Sequence, residues 1–325
     1  MPGRASEQLR RCAPHWPAAL GYAWGVHRYL VIANSKAGDA NRRALDAAVG
    51  VLAAAGPTEV RHPGDLDGLG ASLAELGDRV AVVAGGDGSL HLVVNRLRQL
   101  GRLDRVAVGW LPFGTGNDFA TAAGIPLDPV AAARTVTTAR PHRFDLLEDG
   151  SGTVVVNAVH VGLGAEAAAA AAGRKPRLGR LAYPAGALAA GVREEGWALR
   201  VSVDGAPCGS DGPLLMVGVA NGPSIGGGTL LCPPARADDG RLDVVVVAAT
   251  GPAARLGFAR ALRAGTHLDR GDVRHLQGTS VHISGEAVRD DADGELGAEL
   301  TARSYRVIPG AWSLLCPSAP IGGPP

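Results

Sequence analysis

Rings and sulfur are scarce in this chain: aromatic residues make up 4% of its 325 residues, beside 4 cysteines and 2 methionines. With so few rings, the core has to be built from Ala, Val and Leu. Cys12, Cys208, Cys232 and Cys316 stand far apart and form no C-x-x-C pair. That spacing argues against a zinc site and, with no secretory signal, for a reducing compartment. No apolar run reaches the roughly eighteen residues that a membrane span needs. Bulk charge is lacking too: the formal net charge is +1. It gives no sign of a nucleic-acid partner and leaves any attraction to an anionic surface to local clusters. Glycine and proline are abundant but follow no period, and no internal repeat is visible. The Walker lysine pattern is absent, and so is G-x-G-x-x-G after the strand that would carry a dinucleotide site. Residues 1–28, broken by Pro14, His15 and Pro17, read as a mobile extension rather than a signal peptide. The expected location is the cytoplasm, with any lipid met from the surface.

What the chain does have is two glycine-rich turns, Gly85-Gly86-Asp87-Gly88-Ser89 and Phe113-Gly114-Thr115-Gly116-Asn117-Asp118. Each follows a short apolar run, residues 79–84 and 106–111, and each leads into a segment that reads as a helix. Strand, glycine turn and helix together present free backbone N–H groups and the positive end of a helix dipole to a phosphate. Gly85 and Gly86 let the backbone approach phosphate oxygens, and Gly88 permits a positive φ. One such segment alone could be an ordinary turn between strand and helix. A second at the next predicted strand end, tipped by Thr115, Asn117 and Asp118, gives two converging surfaces for one nucleotide. Asp87 and Asp118 stand where a divalent cation would be held. The pattern points to phosphoryl transfer.

Strands and helices alternate from residue 29 to about 141, which predicts a doubly wound parallel α/β nucleotide-binding domain over residues 29–143. Asp65 is placed to cap a helix over 66–76. In such sheets ligands sit beyond the carboxyl ends of the strands, where the glycine turns and the segment Asn34-Ser35-Lys36-Ala37-Gly38 fall. Beyond Phe144 short β-rich runs predominate, predicting a mostly antiparallel β-sandwich over 144–304. Asp204-Gly205 is a two-residue hairpin signal. Helical interruptions are expected at 165–172, 178–192 and 252–264. Residues 305–325 should pack back onto the body, with a disordered end. An edge strand of the second domain offers a surface for a homodimer.

The run GGDGSLHLVVNRL followed by PFGTGNDFA resembles the diacylglycerol kinase catalytic domain, shared with sphingosine and ceramide kinases and soluble bacterial lipid kinases. The resemblance extends from about residue 29 to 317. It departs at Ser35, where proline is usual, at Ser89 for the commoner threonine, and at Leu92 and Arg96 for glutamate and glycine. Asn157 with Gly162-Leu163-Gly164-Ala165-Glu166, and Asn221-Gly222 through Asp238-Asp239-Gly240-Arg241-Leu242-Asp243, are similar to further stretches of the family.

The resemblance implies an ATP- and Mg²⁺-dependent kinase acting on a lipid alcohol, with diacylglycerol the best single acceptor and phosphatidic acid the product. ATP phosphates would be held by Asn34, Ser35, Lys36, Gly38, Gly85, Gly86, Asp87, Gly88, Ser89, Gly114, Thr115 and Gly116, with Asn117 fixing its turn. Asp87 and Asp118 would organise Mg²⁺, and Asp239 a structural Mg²⁺. Asp293 and Glu295 of the D-G-E segment would face the nucleotide across the cleft, Asp293 favoured as base. The lipid-facing region would be residues 165–192 and 226–228. The basic cluster Arg174, Lys175, Arg177 and Arg180 reads as a solvated helix end or as a contact for anionic headgroups at the inner membrane surface. Two alternatives stand beside this reading: an NAD kinase-like phosphotransferase, and a lipid- or nucleotide-binding regulator without catalysis.

Overall fold

The computed structural model describes residues 27–33, 39–163, 165–166, 196–208, 212–248 and 250–317. The N-terminal half alternates β1 (Tyr29–Ala33), α1 (Asp39–Ala55), β2 (Thr58–Arg61), α2 (Leu66–Ala74), β3 (Val80–Gly85), α3 (Asp87–Gln99), β4 (Ala107–Pro112), α4 (Asp118–Ala122) and α5 (Pro129–Thr138). Strands β1, β3 and β4 are buried along their whole length. Helices on both faces explain why their sequences read as unbroken apolar runs rather than as alternating ones. Asp65 caps α2, its Oδ1 accepting from the Gly68 N–H at 2.7 Å. Asp128 caps α5 in the same way, through Ala131 N–H at 2.8 Å.

The second half is β-rich: β5 (Pro141–Asp149), β6 (Val154–Val155), β7 (Ala158–Gly162), β8 (Leu199–Val203), β9 (Ala206–Pro207), β10 (Met216–Ala220), β11 (Ser224–Ile225), β12 (Thr229–Leu230) and β13 (Leu242–Val247). There follow α6 (Pro252–Ala264), a short 3-10 turn (His267–Asp269), β14 (Val273–Gly278), β15 (Ser280–Val288), β16 (Asp290–Ala292), β17 (Glu295–Leu296) and β18 (Leu300–Leu315). Asp204 and Gly205, at φ 49° and 80°, make the β8–β9 hairpin turn that their sequence signalled. The expected helices at 165–172 and 178–192 and the basic cluster at 174–180 lie outside the described residues.

The parallel sheet runs β2-β1-β3-β4 and continues through β18 into antiparallel pairing with β15, β8 and β9. β18 is the seam. Ser313 and Leu314 pair parallel to β4, while residues 300–306 pair antiparallel to β15. The strand changes partners at a bulge between Ile308 and Trp312, where Gly310 sits at φ 52°. Expected domain limits at 143/144 and 304/305 fall inside β5 and β18, because a sheet hydrogen-bonded across the junction has no linker there. The scarce aromatics gather at this junction. Phe119, Phe144 and Trp312 pack with ring centroids 5.3–5.8 Å apart. A second sheet, β14-β13-β10-β7-β16-β17, faces the antiparallel part of the first, and Val217, Val219, Val244, Val201, Ile283 and Tyr305 fill the space between them. The fold is thus a parallel α/β N-terminal half joined to an antiparallel β-sandwich.

Candidate active site

At the carboxyl ends of β3 and β4 the two glycine turns lie backbone on backbone. A Cβ on Gly114 would stand 2.5 Å from Gly86 Cα, and one on Gly86 would stand 2.8 Å from Gly114 Cα. Only glycine fits at either place, since real Cβ contacts never come so close. Gly85 closes β3, and a Cβ there would meet Ser89 Oγ at 2.3 Å. Its carbonyl receives Trp110 Nε1–H at 2.9 Å and Phe113 N–H at 3.1 Å, which ties the two turns together. Gly88 does not use the positive φ open to it. It belongs to the first turn of α3 and is absent from the positive-φ residues, because the helix starts at Asp87, earlier than the apolar spacing suggested.

Asn117 holds the second turn through its side-chain amide. Its Oδ1 accepts Gly114 N–H at 3.1 Å and its Nδ2 donates to Gly114 O at 2.8 Å, with Asn117 itself at φ 54°. Asp87, in the first turn of α3, accepts Asn117 N–H at 2.6 Å. Burial, and after it the charge of Asp118, raises the Asp87 carboxyl above the usual carboxylate range, against the pull of N–H groups from Phe119, Asn117 and Asp118. Both carboxylates flank Gly116, whose added Cβ would lie 3.1 Å from Asp87 Oδ2 and 3.3 Å from Asp118 Oδ2. Asp118 also reaches the second domain: Gly227 N–H and Gly228 N–H donate to it at 2.7 and 2.6 Å. Gly226, Gly227 and Gly228 all take positive φ, which turns successive N–H groups toward that carboxylate. Asn34, Ser35, Lys36 and Gly38 lie outside the described residues.

Asp293 and Gly294, at φ 51° and 90°, form the turn of the β16–β17 hairpin. This hairpin aims the Asp293 carboxylate back into the protein, where it accepts N–H groups from Val156 at 2.6 Å, Asn157 at 2.9 Å and Ala158 at 3.1 Å. His91 Nδ1, from α3, lies 2.8 Å from Asp293 Oδ2. Burial favours the neutral imidazole, but the hydrogen bond to Asp293 and the charges of Asp293 and Glu295 outweigh it, and His91 titrates above its ordinary value. Asp293 is therefore a buried carboxylate with both oxygens engaged, whereas Glu295 is exposed. The structure separates two residues that the D-G-E segment presents as a pair.

Asp239 lies in the 238–243 turn with its Oδ1 accepting Arg241 N–H at 2.9 Å. Burial and the charges of Asp243 and Asp238 raise its carboxyl. Asp145, buried and unsignalled by any motif, sits beside that turn and accepts Gly240 N–H at 2.7 Å and Gly310 N–H at 2.6 Å. The departures at Leu92 and Arg96 face away from all of this. Leu92 is exposed, and Arg96 lies against Gly70 of α2.

A cavity of about 400 Å³ opens between these groups. Asp87, Thr115, Gly116 and Asp118 line it from the N-terminal side, and Leu163, Met216, Ile225, Phe258 and Leu262 from the β-rich side. Its few polar walls include His160, Asn157, Asp291 and Asp293. His160 Nδ1 and Asn157 Oδ1 are buried and have no hydrogen-bond partner. Burial outweighs the charges of Asp291 and Asp290 and keeps His160 below its ordinary value, hence neutral near pH 7. Nothing in the sequence signals His160 or Asp291 as neighbours of the glycine turns, nor His91, two residues past Ser89, as the partner of Asp293, because these meetings come only through β7 pairing with β16 and α3 packing under the hairpin.

Two family models match the chain. The diacylglycerol kinase catalytic domain covers residues 28–148, and the YegS C-terminal NAD kinase beta sandwich-like domain covers residues 157–316. A Stenotrophomonas maltophilia protein named “Probable lipid kinase YegS-like” is 38% identical over 190 residues, 57% of this chain and 61% of that protein. One of the same name from Pseudomonas putida is 33% identical over 235 residues, 70% of this chain and 76% of that protein. A crystal structure from Bacillus anthracis strain Sterne superposes with a TM-score of 0.74 at 24% identity, covering 90% of this chain and 98% of that one. Another, titled a diacylglycerol kinase from the same strain, gives 0.69 at 22% identity and covers 90% and 97%. At these identities the crystal structures establish the fold, and the sequence matches establish the kinship. The chain belongs to the YegS-like lipid kinase family, built on the diacylglycerol kinase catalytic domain.

Proposed function

We propose that this protein is an ATP- and Mg²⁺-dependent lipid kinase that transfers the γ-phosphoryl group of ATP to a lipid hydroxyl, with diacylglycerol as acceptor. The observation that carries the reading is a cavity whose walls join the glycine-turn carboxylates to an apolar interior. A phosphate donor and an apolar acceptor would meet there. An NAD kinase-like reaction fits less well, since a dinucleotide acceptor offers little to Leu163, Met216 and Phe258.

The phosphates lie against the N-terminus of α3 and the Gly114–Gly116 turn, whose N–H groups and dipole favour negative charge. Asp87 and Asp118 fit a divalent cation: they converge on Gly116, and mutual repulsion in a buried setting is what such an ion relieves. The Asp238–Asp239 turn fits a second by the same reasoning. When bound, Mg²⁺ would neutralise charge on the transferring phosphates.

The acceptor oxygen forms a bond to the γ-phosphorus as the bond to the β–γ bridging oxygen breaks. In a loose transition state the hydroxyl proton leaves late, so orientation counts for more than prior deprotonation. Glu295 is the proton acceptor in this scheme, in place of Asp293. Asp293 already receives three backbone N–H groups and the His91 imidazole, while Glu295 is exposed two residues along the same hairpin. Asp293 is the positioning residue that fixes the hairpin against α3. Asp118, gripped by Gly227 and Gly228, joins the two halves of the cleft.

The test is radiolabelled ATP with Mg²⁺ and a total lipid extract, followed by mass analysis of the products. Phosphatidic acid formation is expected. Absence of any phosphorylated lipid alcohol, with ATP bound, would overturn the kinase reading in favour of a binding regulator.

A further inference from the structure

At the β14–β13 end of the second sheet three residues distant in sequence converge. Cys232 follows β12, Asp243 lies on β13, and His275 lies on β14, diagonal to Asp243 across the antiparallel pair. One sulfur, one carboxylate oxygen and one imidazole nitrogen from these residues all lie within 4.8 Å of one another. His275 Nε2 stands 2.6 Å from Asp243 Oδ1. Asp243 is 1% exposed, and apart from the weak donor Cys232 thiol its Oδ2 has no hydrogen-bond partner. A carboxylate so deeply buried with an orphan oxygen costs free energy unless something meets it.

We infer that Cys232, Asp243 and His275 form a metal site for Zn²⁺, separate from the Mg²⁺ positions of the kinase centre. Charge supports the choice of a divalent cation. A thiolate and a carboxylate together cancel the +2 of the ion, with His275 neutral, so the buried cluster becomes electroneutral. Binding forms the metal–sulfur bond and releases the thiol proton to water. A sulfur, an imidazole and one carboxylate select zinc over magnesium, which prefers oxygen ligands alone.

The spacing suits the ion. Zinc–ligand bonds of about 2.0–2.3 Å place tetrahedral ligand atoms roughly 3.3–3.8 Å apart. The cluster reaches that by side-chain adjustment, the His275–Asp243 contact widening as the others close. The His275 side chain is 26% exposed, which leaves an entry path and a fourth position for water. The ion would pin the segment after β12 onto β13 and β14. Ile225 and Thr229, earlier in that hairpin, line the cavity, so the site steadies one of its walls.

The experiment uses the full chain, stripped of metal by a chelator, with Co²⁺ as a spectroscopic probe and Zn²⁺ as competitor. One equivalent of Co²⁺ should bind, with a sulfur-to-cobalt charge-transfer band that Zn²⁺ bleaches. Cys232→Ser should lose the band, and His275→Gln should keep it while binding Zn²⁺ about tenfold or more weakly. No band, a band that persists in Cys232→Ser, or unchanged Zn²⁺ affinity in His275→Gln would each overturn the assignment. If Cys232→Ser fails to fold, His275→Gln, altered at a partly exposed position, decides alone. None of these readouts depends on kinase activity, and Mg²⁺ should not displace Co²⁺.

Discussion

On the N-terminal side of the cleft, Gly86 and Gly114 touch through their backbones, and the carboxylates they serve, Asp87 and Asp118, lie within a few residues of those glycines. On the opposite side, Asp293 is held by Val156, Asn157, Ala158 and His91, none nearer than 135 residues in sequence. One wall is a pair of local motifs; the other is assembled from remote strands. The difference explains why the glycine turns are legible as contiguous motifs while the unequal burial of the two D-G-E carboxylates is not. Position along a hairpin decides which carboxylate is sealed by N–H groups and which stays free.

Four measurements would break or sharpen that contrast. Asp87→Asn should lower turnover by about 10³-fold, since it weakens both the proposed cation site and the Asn117 turn. Steady-state kinetics with a near-native melting temperature would confirm it, and turnover within a factor of a few would remove Asp87 from the chemistry. Glu295→Gln should cost about 10²-fold in kcat with no loss of stability, because the side chain is exposed. Full activity in that variant, beside a collapse of activity without destabilisation in Asp293→Asn, would return the base to Asp293. Gly114→Ala, which sets a methyl group on the Gly86 backbone, should destabilise by about 1–3 kcal/mol and weaken ATP binding. Denaturant unfolding unchanged by this variant would mean that the two turns part easily.

The smallest effect concerns His91 and pH. Its folded titration point lies above the ordinary imidazole value, so the His91–Asp293 pair stabilises the fold fully below about pH 6.5. That contribution is lost as pH rises through the higher folded value. Melting temperatures of the wild type and His91→Gln should therefore differ most at acidic pH and converge at alkaline pH. A difference that grows with pH would show that the pair does not act as an imidazolium–carboxylate contact.

Much of the fold is legible because burial leaves a direct mark on sequence. β1, β3 and β4 are covered on both faces and read as apolar runs, and Asp65 and Asp204-Gly205 announce a cap and a hairpin through chemistry confined to a few residues. Less legible was β18, sixteen residues long, whose first part reads as an alternating strand and whose end reads as an apolar tail. Its two textures reflect two partners, β15 and β4, and only the Pro309-Gly310 bulge reconciles them. Gly88 leaves its conformational freedom unused for a related reason: the helix begins one residue earlier, at Asp87.

By itself the sequence determined the class of the fold, the two glycine turns and the kinship, because each depends on residues that are neighbours in the chain and on the periodicity of burial. Tertiary structure alone decided that Asp118 is gripped by the Gly226–Gly228 loop, that Asp293 is sealed against His91, and that Cys232 meets Asp243 and His275. Hydrogen bonds and charge act over a few ångströms in space, and strand pairing chooses which distant residues come within that range.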